Sequence, residues 1–154
     1  MEYDKNNIFA KILREEIPCK KIYENEYVLA FHDVNPQKKV HVLIIPKGEY
    51  VNLDDFSSKA SEKEIVGLIK GIGTVAKKIG VSDVVKGGGG YRSLVNVGEN
   101  GGQEVPHLHF HIFGGEKVGK MVTKRSFSCG ILKIFFCINT FDFIFLIRKI
   151  TSLE

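Results

Sequence analysis

From His107 to Ile112 the chain alternates histidine with an apolar residue at every position: His-Leu-His-Phe-His-Ile. A helix repeats its faces every three to four residues, whereas a strand repeats them every two, so this run matches a strand. The spacing predicts a strand over Val105–Phe113, with Leu108, Phe110 and Ile112 buried on one face. His107, His109 and His111 then line the other face, turned towards something polar. Imidazole changes charge near neutral pH and serves as ligand, base or nucleophile. Three of them backed by an apolar face point to a site.

The 154 residues suffice for one ordinary domain with a real core. A net charge of +4 suits a phosphate-bearing ligand but is too small and dispersed for nucleic-acid binding. Cys19, Cys129 and Cys137 are odd in number and lack paired metal spacing, which fits a reducing compartment. The stretch Met1–Asn7 is polar and has no basic region leading into an apolar run, so no secretory signal is expected and the expected address is the cytoplasm.

Apolar residues at helical spacing predict a short helix over Ile8–Leu13, ending before Pro18. Strands follow at Lys20–Glu24 and Tyr27–Asp33, turning at Asn25-Glu26, and a third at Val40–Ile45, closed by Pro46. Ser61 and Glu64 form a capping box, behind which Ile65, Leu68, Ile69, Ile72, Val75, Ala76 and Ile79 keep one stripe up to Gly80. A fourth strand is predicted at Tyr91–Val97. Hairpin-length loops between several strands favour an α+β domain on an antiparallel sheet. The glycines of 71–76 fall inside a helix, and Gly87–Gly90 lacks the lysine and hydroxyl of a P-loop; both sets read as packing and turn glycines.

The expected domain spans residues 1–125. Beyond it, 126–154 is an atypical tail in which six of the eleven phenylalanines fall between Phe127 and Phe145. As a membrane span the tail is short and carries Lys133, Asn139 and Asp142; one central aspartate costs about 2.5–3.5 kcal/mol. Stable membrane anchoring is therefore not expected, and the tail is either an additional packed element or an aberrant end.

Two chemistries suit the histidine row: a metal site, and nucleophilic catalysis by one imidazole oriented by its neighbours. A metal calls for carboxylate or thiolate company, but Glu104 is one residue off the strand's parity and the cysteines lie elsewhere. Phosphoryl or nucleotidyl transfer calls for donors to non-bridging oxygens, and Asn96, Gln103 and the amides of Gly101-Gly102 are candidates. Catalysis is the favoured reading.

His107-x-His109-x-His111 resembles the histidine triad of the HIT superfamily. Ile8-Phe9-x-Lys11-Ile12 with Glu16-Ile17-Pro18, Ala30-Phe31-His32-Asp33-Val34-Asn35-Pro36, and His41-Val42-Leu43-Ile44-Ile45-Pro46-Lys47 resemble its Hint branch of nucleoside phosphoramidase-like proteins. The likeness runs from about Asn6 to Met121. It implies a five-stranded antiparallel sheet with one long and one short helix, joined into ten strands across a homodimer. It also implies hydrolysis of purine nucleoside phosphoramidates or related nucleotides through a covalent nucleotidyl-histidine.

By the same resemblance, His109 would be the nucleophile, with His107, His111 and His41 supporting it. Asn96, Gln103 and backbone amides near Gly102 and Val105 would hold phosphate and leaving-group oxygens. Asp33 would accept from the ribose hydroxyls. Ile8, Phe9, Ile12, Phe31, Val34 and Leu43 would sandwich the purine, although core packing accounts for these apolar residues equally well. His32 is assigned no role. No cofactor is required, and zinc is not expected for catalysis.

Two features depart from the family. Glu104 stands where some Hint members carry a phosphate-loop serine, so it must turn away or meet a cationic leaving group. Thr123 onward matches nothing in the family, although that end helps to set specificity in the Hint branch. The alternatives are a dinucleoside polyphosphate hydrolase and a non-catalytic nucleotide- or zinc-binding partner protein.

Overall fold

Asn7 starts the first helix, α1 (Ile8–Leu13), by accepting the N–H groups of Phe9 and Ala10 on its side-chain oxygen, each at 2.9 Å. In this computed structural model the described residues are 2–122, so the tail expected over 126–154 and the membrane reading of it lie outside them. Among the described residues no helix is long and apolar enough to cross a membrane.

Strands β1 (Lys21–Glu24) and β2 (Val28–His32) form the predicted hairpin. Asn25 Oδ1 accepts from the amides of Tyr27 and Val28 and so shapes the turn. Strand β3 (Val40–Pro46) returns beside β2, and then comes α2 (Leu53–Lys59), which the sequence reading leaves unassigned. Helix α2 is seven residues long and buries Phe56 alone, too little for periodicity to reveal. Its one local signal is Asn52, whose side chain caps Asp55 N.

The capping box of Ser61 and Glu64 opens α3 (Glu62–Lys78) as predicted. The helix buries Leu68, Ile72, Val75 and Ala76, while Ile65 and Ile69 are 36% and 59% exposed. The apolar stripe is wider than the sheet surface it covers. A Cβ on Gly71 would stand 3.0 Å from Ile44 Cδ1 and 3.1 Å from Val28 Cγ2, so glycine there lets α3 lie close on the sheet.

Strand β4 (Arg92–Val95) and strand β5 (Phe110–Gly114) complete a five-stranded sheet of order β1-β2-β3-β5-β4, antiparallel throughout. Alternation divides its core into two. Val28, Ala30, Val42, Ile44 and Ile112 face α3, joined by Leu108. Leu29, Phe31, Leu43 and Ile45 face α1, packed with Phe9 and Ile12. The fold is thus α+β as expected, with a long helix on one face and a short one on the other.

The histidine segment needs one correction. Its hydrogen-bonded strand begins at Phe110, not Val105. Pro106 has no N–H to give, His107 N turns back to Val105 O, and Leu108 N donates at 2.7 Å to Tyr50 O outside the sheet. The alternation nevertheless holds. Leu108 and Ile112 enter the α3 core, and the three imidazoles pass to the α1 side.

Candidate active site

The register of β3 against β5 pairs Leu43 with His111 and His41 with Phe113, so these four side chains share one face. At the end of that face lies a cavity of about 290 Å³. Phe9 closes it from α1, Asp33 and Gln37 from the β2–β3 loop, and Asn96 and Glu104 from the segments beyond β4 and before β5. His41, His109 and His111 form its inner wall.

Each imidazole is held in a definite tautomer. His109 Nδ1 lies 2.7 Å from His107 O, and since a carbonyl only accepts, Nδ1 carries the proton. The neutral ring therefore keeps its lone pair on Nε2. Burial holds His109 below the usual histidine range, opposed by its carbonyl contact and by the charges of Asp33 and Glu104.

His107 lines no part of the cavity. Its ring is fully buried, with Nε2 donating to Pro46 O at 3.1 Å and Nδ1 facing the Tyr3 hydroxyl at 2.5 Å. Burial pushes its pKa down to about 4. The residue reaches His109 through its backbone carbonyl, not its imidazole.

His41 Nδ1 accepts from Gln37 N at 3.3 Å, which leaves the proton on Nε2. That proton is directed at His111 Nδ1, 2.9 Å away, with Asp33 Oδ2 at 3.4 Å from the same nitrogen. His111 Nδ1 then accepts, so its proton sits on Nε2. Among the described residues this Nε2 is a buried side-chain polar atom with no partner. His111 lines the cavity, and a buried donor left unmet beside it favours an oxygen acceptor that can reach it. Burial pushes His111 down to about 4 and also lowers His41, so these two imidazoles are uncharged at neutral pH.

Among the described residues, Asp33, His41 and His111 each bring one ligand atom within 4.8 Å of the others and could hold a metal ion. A metal bound at His41 Nε2 and His111 Nδ1 would displace the proton between those two nitrogens.

Nine of the residues expected from the sequence line the cavity: Phe9, Asp33, His41, Leu43, Asn96, Gly102, Val105, His109 and His111. The others are placed elsewhere. Ile12 and Phe31 are core residues of the α1 side. Ile8 is 46% exposed and Val34 is 99% exposed, on the outside of α1 and at the start of a loop.

Gln103 braces its loop. Its amide nitrogen donates to Val51 O at 2.7 Å and Val105 O at 3.0 Å, and its carbonyl accepts from Gly98 N. Gly102 lines the cavity with φ +73°, which favours glycine, but its N–H closes a turn onto Glu99 O at 2.9 Å. In this structure its amide and the Gln103 carboxamide have partners within the protein.

Asn35, Gln37 and Tyr3 were missed. Gln37 acts through its backbone, which no side-chain motif reveals. Asn35 N donates to Asp33 Oδ1 at 2.8 Å, a turn that Asp33-Val34-Asn35-Pro36 does signal. Tyr3 lies 104 positions from His107, beyond the reach of local pattern.

A family model for the HIT domain matches residues 14–118. The chain is 56% identical over 122 residues to an uncharacterized HIT-like protein of Azospirillum brasilense, covering 79% of this chain and 96% of that one. It is 36% identical over 118 residues to the purine nucleoside phosphoramidase of Escherichia coli, covering 77% and 94%. Among solved structures it is similar to a HIT family hydrolase from Legionella pneumophila, with a TM-score of 0.66 and 34% identity over 74% of this chain and 96% of that one.

Proposed function

The chain belongs to the HIT domain family, and on that premise we propose that it is a nucleotidyl hydrolase acting on purine nucleoside phosphoramidates through covalent His109. The observation that carries this reading is the His109 Nδ1–His107 O hydrogen bond of 2.7 Å, which leaves Nε2 as the unprotonated nitrogen at the cavity wall. A neutral imidazole is the nucleophilic form, and burial favours it.

His109 Nε2 attacks the α-phosphorus, and the bond from phosphorus to the leaving amine breaks, its electron pair going to nitrogen. The amine takes up a proton in this half, and the water that hydrolyses the nucleotidyl-histidine releases one in the second. Positive charge develops on the His109 ring during attack, which strengthens its hydrogen bond to His107 O. His111 Nε2–H donates to a non-bridging phosphate oxygen. Asp33 accepts from the ribose hydroxyls, and Phe9 and Leu43 offer apolar surface to the base. No metal is assigned a step in this reading, and His41 supports His111 through the hydrogen bond between their rings.

The test is turnover of adenosine 5′-phosphoramidate by the full chain in strong chelator, compared with His109→Ala. The chain should hydrolyse it, and the variant should lose at least about a thousandfold in kcat/KM. Activity lost to the chelator, or kept by His109→Ala, would overturn the reading.

A further inference from the structure

The protein carries a net charge of +4, yet the cavity has the opposite character. Among its described lining residues none is Lys or Arg, two are the carboxylates Asp33 and Glu104, and the lining imidazoles are neutral at neutral pH. A nucleotide substrate already brings negative phosphate oxygens. Such a cavity penalises each further negative charge and rewards a positive one.

The two carboxylates differ in how far they are already engaged. Asp33 is half-buried, accepts from Asn35 N at 2.8 Å and lies 3.4 Å from His41. Glu104 is exposed at the mouth of the cavity. Its backbone is held on both sides, since Gln103 is tied to Gly98, Val51 and Val105, and Val105 O also accepts from His107 N at 2.8 Å. Glu104 therefore stays in the lining that also holds His109, and its charge acts on that imidazole.

We infer that Glu104 sets a charge preference at the leaving group: phosphoramidates of cationic amines are cleaved ahead of those of anionic amines. The inference rests on the nucleotidyl hydrolase reading and adds to it the residue that selects the leaving group.

The experiment uses the full chain and adenosine 5′-phosphoramidates of three amines of matched size, bearing an ammonium, a neutral amide or a carboxylate. The kcat/KM of the cationic substrate should exceed that of the anionic one by about five- to tenfold at low salt. The gap should narrow in about 0.5 M salt, as expected for an exposed charge. Glu104→Gln should shrink it to less than about twofold, and Glu104→Lys should reverse it, each ratio normalised to the neutral substrate. A gap absent in the wild type, or unchanged in both variants, overturns the inference while leaving the hydrolase reading intact. Hydrolysis of none of the three substrates removes that reading, and the inference with it.

Discussion

His109 differs from its neighbours in what its two nitrogens face: a carbonyl on one side and an open cavity on the other. Its pKa lies below the ordinary 6.5, so the active form persists into mildly acidic solution. The acid limb of kcat/KM should therefore fall below pH 6.5, and a limb centred above 7 would contradict this environment for His109. His107 adds a stability effect. The folded ring stays neutral to about pH 4, whereas the unfolded chain protonates near pH 6.5. Stability is thus full above pH 6.5 and declines as pH falls towards 4, by about 3 kcal/mol from His107 alone. Urea unfolding at pH 7 and pH 4.5 reads this loss, and equal midpoints would contradict it. The triad was legible because alternation alone places three rings on one face. What each ring does was not, since His107 works through its carbonyl and its ring is set by Tyr3 and Pro46.

At the scale of elements, β2 and β3 were readable because both faces are buried and the runs are apolar apart from His32 and His41. Strand β5 proved shorter than its pattern, because Pro106 and the Leu108–Tyr50 hydrogen bond keep the first two histidines out of the ladder without changing their faces. Apolar identity could not separate core from cavity: Phe9 and Leu43 line the site, whereas Ile12 and Phe31 pack behind it. Strand β4 ends the sheet, and among the described residues it pairs with β5 alone. An edge of this kind is a template for pairing, and we propose that two copies join there into a ten-stranded sheet. Light scattering of the full chain should give twice the mass expected from 154 residues. A monomeric mass at micromolar concentration would contradict the pairing.

For the molecule as a whole, composition set bounds that the cavity then qualified. A net charge of +4 suits a phosphate-bearing ligand, but the described cavity wall offers neutral imidazoles and carboxylates and no Lys or Arg. Net charge reports the whole surface, and a cavity samples a dozen residues of it. Catalysis on this account rests on positioned dipoles and one nucleophilic nitrogen. The most direct test is to mix the full chain with excess adenosine 5′-phosphoramidate, quench it within the first turnover, and map the protein by mass spectrometry. One nucleoside monophosphate should be found on the peptide carrying His109, and none on the same peptide of His109→Ala. Label on another residue, or turnover with no labelled protein under conditions that preserve phosphohistidine, would contradict His109 as the nucleophile.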